Sequence, residues 1–130
     1  MQIKIDKPIQ GSEMVANRMV VNTSHGGYVG LMVFPDFWLR CLFADELIRA
    51  SIRSGGRFVK EQNRVVFDNG AKILMMVIEK DSDVTRVAGY QFQDVAVFSP
   101  ERYSNDVLNV LHAYNRCGKD FQPIWMEVVL

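Results

Sequence analysis

The sequence predicts an α/β domain: a mostly parallel central sheet flanked by helices, with an added β-hairpin over residues 65–78. Three observations carry this reading. Short apolar runs at Leu31–Phe34 and Asp94–Phe98 have the character of strands covered on both faces. They alternate with stretches of helical periodicity, which implies right-handed crossovers between parallel strands. Asp68-Asn69-Gly70 lies between two apolar runs, Val65–Phe67 and Lys72–Ile78, and marks a tight turn.

Each element follows from its residues. Ile3–Asp6 reads as a short strand, and Lys7–Gly11 as a turn containing Pro8. Ser12 is placed to cap a helix from about Glu13 to Val21, with Met14, Val15 and Met19 on its apolar side. Asn22–Gly27 has loop chemistry. After the Leu31–Phe34 strand, Asp36 caps a longer helix from Phe37 to about Ser54. Its apolar residues are Trp38, Leu39, Leu42, Phe43, Leu47 and Ile48, and Gly55-Gly56 ends it. Lys80–Asp83 is a charged loop, and Ser99-Pro100 stops the strand before it. Ser104 caps a third helix, Asn105–Asn115, whose Val107, Leu108, Val110 and Leu111 turn inward, with Gly118 at its end. Ile124–Val129 is a last strand, either central or at an edge that would pair a second copy into a homodimer.

Composition narrows the function classes. The 130 residues carry 15 Lys+Arg against 15 Asp+Glu, a net charge of zero. That balance disfavours a dedicated nucleic-acid or acidic-membrane binder and leaves room only for a local basic patch. No apolar run reaches membrane-spanning length, and Asp6 interrupts what a signal peptide would need to be apolar. Cys41 and Cys117 have neither metal spacing nor a disulfide framework, as expected in a reducing cytoplasm. Neither histidine, His25 or His112, has a local orienting carboxylate at triad-like spacing. No His/Cys pair has the spacing of helix-borne metal ligands. No catalytic residue, metal or cofactor is therefore expected from the residues alone.

The order of parts resembles the ATPase core of phage terminase large subunits, within the P-loop NTPase superfamily. The resemblance rests on Leu31-Met32-Val33-Phe34-Pro35 followed by the helix from Phe37, on the hairpin Val65–Ile73 with its Asn69-Gly70 turn, and on Arg86–Phe98 leading into a helix and a final strand. It implies one domain over residues 1–130, phage-encoded and working in the host cytoplasm. It also implies two altered nucleotide-binding positions. Gly11 falls where the family has the glycine before its phosphate-loop lysine, so Ser12 stands in the lysine place and Glu13 in that of the magnesium-holding Ser/Thr. Lys7 comes five residues early. At the second position the family's acidic pair falls on Ser99 and Pro100, and Glu101 comes one residue late, beyond the proline. Without the lysine and the acidic pair, the electrostatic stabilisation of phosphoryl transfer is lost.

This reading expects a protein without hydrolytic activity of its own: an inhibitor, regulator or assembly factor whose partner is another protein. Phe37 and Trp38 are candidate aromatic anchors, since adjacent helix positions diverge by about 100° and cannot both face inward. One of the two serves as the exposed anchor on this reading, and against it stands a role in the core. One alternative is a nucleotide or nucleic-acid binder that does not hydrolyse. It would use the helix-start residues Gln10, Gly11 and Ser12 and the basic strip Arg49, Arg53 and Arg57. Another is an ATPase subunit completed in trans. Arg86 reads either as a remnant γ-phosphate contact or as a loop salt bridge.

Overall fold

The computed structural model describes residues 2–5, 8–116 and 122–130, the side chains of residues 8–10 excepted. Seven strands form a single sheet: β1 (Gln2–Ile5), β2 (Val29–Phe34), β3 (Arg57–Val59), β4 (Arg64–Val66), β5 (Lys72–Val77), β6 (Asp94–Phe98) and β7 (Ile124–Val128). Their order across the sheet is β1-β7-β6-β2-β5-β4-β3. Every pair from β1 to β5 is parallel, and β5-β4-β3 finishes the sheet as an antiparallel meander. The helices are α1 (Pro8–Asn22), α2 (Phe37–Arg53) and α3 (Asn105–Tyr114), and a 3-10 segment spans Asp81–Val87. The predicted α/β class and its mostly parallel sheet are as observed.

Alternation along the central strands divides the core in two. Met32, Phe34, Ile73, Met75, Ala96, Phe98 and Met126 face the layer made by α1 and α2, where Val15, Met19, Ala44 and Leu47 meet them. Leu31, Val33, Leu74, Met76, Val95, Val97 and Trp125 face Val84, Val87, Val107 and Leu111 of the 3-10 segment and α3. Strands covered on both faces need apolar residues at every position, which is why their runs are continuous in the sequence. Met75 and Met76, adjacent in β5, are each buried, one on each side.

Several sequence expectations are corrected. The first helix begins at Pro8, so Ser12 lies inside α1 and is not its cap. Proline at a first helical position needs no N–H partner and has its φ already set. Met14 projects from α1 into solvent, 59% exposed. Trp38 and Leu42, placed by periodicity on the inner stripe of α2, are exposed, and Ala44, Leu47, Ala50 and Ser51 are buried instead. The small residues let α2 lie close to the sheet.

The hairpin is present, but Asn69-Gly70 does not occupy both central turn positions. The amide of Gly70 donates to the Phe67 carbonyl at 3.0 Å and that of Phe67 to the Ala71 carbonyl at 3.0 Å. Only Gly70 has positive φ, at 94°. This is a turn centred on Asp68-Asn69 followed by a left-handed glycine, the arrangement of a three-residue hairpin loop. Asn69 is kept for another purpose: its Nδ2 donates to the Thr23 carbonyl at 2.8 Å and its Oδ1 accepts from the Ala71 amide at 3.0 Å. The hairpin tip is thereby tied to the loop after α1. β3 was not anticipated, because three residues without clear alternation give no period to read. β7, whose place was left open, is interior between β1 and β6. Gly118, expected to end α3, lies outside the described residues.

The capping expectations hold for the other two helices. The Asp36 carboxylate accepts from the Leu39 amide at 2.8 Å, and the Ser104 hydroxyl from the Val107 amide at 3.2 Å.

Candidate functional site

In open parallel sheets, ligands bind beyond the carboxyl ends of the strands. Here that edge carries the segments following Ile5, Phe34, Val77, Phe98 and Val128. The two positions of the terminase resemblance follow β1 and β6, which flank β7 and so open on the same edge.

Between the end of β1 at Ile5 and the start of α1 at Pro8 only two residues intervene, Asp6 and Lys7, both outside the described residues. Gln10, Gly11 and Ser12 belong to the first turns of α1. A Cβ on Gly11 would collide with Cγ2 of Ile5 and touch Val128, so this glycine serves the close approach of α1 to β1 and β7. Ser12 is buried, and its hydroxyl donates to the Phe43 carbonyl of α2 at 3.3 Å. These contacts join two helices to the sheet.

At the end of β6, Ser99 is buried in a left-handed conformation (φ 53°, ψ 63°). Its amide donates to the Val128 carbonyl at 2.9 Å, tying β6 to β7. Pro100–Arg102 is one 3-10 turn, and Glu101 on it is exposed. The carboxylate that orders this edge is Asp36, which the sequence shows as a helix cap but not as the partner of Arg102. One of its oxygens caps α2, and the other accepts from Arg102 at 2.7 Å. The Leu39 amide first, and the Arg102 guanidinium second, hold the Asp36 carboxyl below its ordinary range. Next to it, burial pushes the Tyr103 phenol up, and its hydroxyl has no partner among the described residues.

The amino end of the sheet holds a second unanticipated cluster. Asp94, the first residue of β6, is buried and accepts from the Tyr28 hydroxyl at 2.6 Å, Asn22 Nδ2 at 2.9 Å and Arg18 Nε at 3.3 Å. Burial first, and the Asp94 charge second, push the Tyr28 phenol well above its ordinary value. The cluster joins α1, the start of β2 and β6. Nothing in the local sequence around Asp94 marks it, since its partners stand 66 to 76 positions away.

The remaining candidates are dispersed. Arg49 and Arg53 lie exposed on α2, with Arg53 4.0 Å from Glu46, and Arg57 lies on β3 beyond the helix-ending glycines. Phe37 and Trp38 are 60% and 69% exposed, so both are available at the surface. The aromatic core beneath is formed by Phe34, Phe43 and Phe98, with Phe98 stacked on the other two at 4.6 and 5.4 Å. Arg86 bonds the Val77 carbonyl and pairs with Asp83 at 3.3 Å, the loop salt bridge anticipated for it. Cys41 is half-buried, and Cys117 lies outside the described residues. His112 stacks on Trp125 at 3.5 Å. Desolvation lowers its pKa, against a weaker upward pull from Glu127. No group of three potential metal ligands occurs among the described residues, and no described helix is long and apolar enough to cross a membrane.

No family model and no curated protein matches the chain. Solved structures do. The large terminase of the thermophilic bacteriophage D6E superposes with a TM-score of 0.67 at 15% identity, over 98% of this chain and 32% of that one. Its complex with ADP gives 0.67 at 17% identity, over 98% and 33%. The large terminase ATPase domain of Thermus phage P74-26 gives 0.60 at 8% identity, over 98% and 58%. The chain thus has the fold of phage large-terminase ATPase cores and spans about a third of the D6E protein's length. At these identities the likeness concerns the fold.

Proposed function

We propose that this chain is a terminase-ATPase-like core that does not hydrolyse ATP by itself and acts by binding another protein, as an inhibitor, regulator or assembly factor of a phage system. The observation that carries the reading is the β1–α1 connection. A phosphate loop of the form G-x-x-x-x-G-K-[ST] wraps a triphosphate with several loop residues before its helix begins. Here two residues join the strand to the helix, and Gly11 and Ser12, which stand at the corresponding positions, are engaged with Ile5 and the Phe43 carbonyl. The end of β6 supports the same reading, since Ser99 and Pro100 occupy the acidic positions and Asp36 is engaged by Arg102. Phe37, Trp38 and Leu42, all more than half exposed at the start of α2, are the contact residues on this reading.

The test has two parts. Phosphate release from Mg–ATP should stay at background for the chain alone. The chain should co-migrate with a phage large-terminase ATPase domain in size-exclusion chromatography at 0.5 M salt, and Trp38→Ala with Leu42→Ser should abolish the complex without lowering the melting temperature. Turnover by the chain alone refutes the first half. A complex indifferent to the double substitution, or no complex, refutes the second.

A further inference from the structure

We infer a ligand site, for a nucleotide unit, in the cleft between the β3-β4-β5 meander, the start of α2 and the 3-10 segment. This cleft has a volume of about 390 Å³ and includes Phe37, Arg64, Arg86 and Tyr90 in its lining. A smaller hollow of about 280 Å³ adjoins it, shares Phe37, Glu61 and Asn63 with it, and adds Arg40, Phe58 and Lys60. Four cations face one carboxylate, Glu61, on a chain whose net charge is zero. Arg86 is paired with Asp83, which leaves Arg40, Lys60 and Arg64 against Glu61.

The guanidinium groups are held in place. Arg40 lies over two rings, 5.7 Å from the centre of Phe37 and 5.8 Å from that of Phe58, and donates through NH2 to Asn63 Oδ1. Asn63 is itself fixed in a left-handed conformation (φ 55°), and its carbonyl accepts from the Met75 amide at 2.9 Å. Arg64 donates through NH2 to the Tyr90 hydroxyl at 3.1 Å, and Tyr90 stacks on Phe92 at 5.5 Å. The Nε–H groups of Arg40 and Arg64 are each buried and find no partner. Two pre-oriented arginines suit phosphate oxygens, which accept from the planar fork of N–H donors that a guanidinium presents. Phe37, 60% exposed, offers an open ring on which a base stacks. Phosphate and aromatic base together define a nucleotide, free or within a single strand. The cleft is lined by β5 and the strand beyond it, with β2, β6 and β7 between it and β1, so this site is separate from the altered phosphate-loop position.

The experiment titrates the chain by calorimetry and amide NMR with three probes without magnesium: AMP, single-stranded octathymidylate and inorganic phosphate. AMP or the octamer should bind at least tenfold more tightly than phosphate and shift the amides of Phe37, Arg64 and Tyr90. Phe37→Ala and Arg40→Gln should each weaken that binding tenfold or more, while Val21→Ala, exposed on α1 and outside the cleft, leaves it unchanged. A single-stranded source is assigned if the octamer binds more tightly than AMP with a steep salt dependence. A free nucleotide is assigned if AMP binds as well as the octamer. Equal binding of phosphate, shifts elsewhere, or binding indifferent to Phe37→Ala overturns the inference, as does the absence of binding at millimolar probe.

Discussion

Replacing Tyr28 by Phe removes one hydroxyl and nothing else from a ring that is fully buried. The lost bond runs 2.6 Å to the buried carboxylate of Asp94. A hydrogen bond to a charged group contributes about 1.5–3 kcal/mol. The orphaned-charge cost of about 3–5 kcal/mol does not apply, because Asp94 keeps Asn22 at 2.9 Å and Arg18 at 3.3 Å. We expect a loss of about 2 kcal/mol by urea denaturation at pH 7, and a melting temperature lower by about 6–10 °C for a chain of this size. The pH dependence supplies a second signature. The Tyr28 phenol is raised in the folded state above its ordinary 10.0. Its contribution is therefore complete below pH 10 and is lost as the pH rises further, at up to about 1.4 kcal/mol per pH unit, because only the unfolded chain releases that proton. The gap between wild type and Tyr28→Phe should close above pH 10. A cost under about 0.5 kcal/mol at pH 7, or a gap that holds constant to pH 11, refutes the account of this cluster.

Phe98→Ala removes the ring that stacks on both Phe34 and Phe43 and should cost about 3–5 kcal/mol in chemical denaturation. Ser99→Gly relieves a left-handed serine (φ 53°) and should stabilise by about 0.5–1 kcal/mol; a loss would show that the Ser99 side chain contributes more than its strain. Gly11→Ala would raise helix propensity by up to about 1 kcal/mol, but its methyl meets Ile5, so a net destabilisation of about 1–2 kcal/mol is expected on the same assay. Asp36→Ala removes the cap of α2 and the partner of Arg102 and should lower the melting temperature at pH 7. Because the Asp36 carboxyl titrates below its ordinary 3.8, its stabilisation is present above that pH and fades below it, so wild type and variant should converge in acid.

The fold class was legible because strands buried on both faces must be continuously apolar and because caps and turns carry local chemistry, as at Asp36, Ser104 and Gly70. The start of α1 was misread because Ser12 has the chemistry of a cap, while its hydroxyl is used 31 positions away on Phe43. The apolar count on α2 misplaced Trp38 and Leu42 for a related reason: periodicity shows that a helix has an apolar side, but the alanines at 44 and 50 show which side lies against the sheet. The positions that the terminase resemblance assigns to a phosphate loop and an acidic pair were visible as residue types. How Gly11, Ser12 and Ser99 are used instead was not, since their contacts are tertiary. The Asp94 cluster and the Phe37–Arg40–Arg64 cleft escaped for the same reason: their members come from separate elements, and no local spacing unites them.

The neighbour of β1 has a consequence for how the chain acquires its structure. Among the described residues β1 pairs with β7 alone, Ile3 opposite Met126, and the Val129 amide closes on the Ile5 carbonyl at 2.7 Å. These partners are roughly 120 positions apart, and such long-range pairings are slow to form. At a synthesis rate of about 5–20 residues per second, the first strand leaves the ribosome roughly 6–25 s before its only partner exists. During that interval Ile3 and Ile5 have no strand beside them, and α1 has no sheet edge on which to seat Gly11. Assembly of β2, β5 and β6 does not need β1, so β1, made before all of them, is among the last strands to take its place.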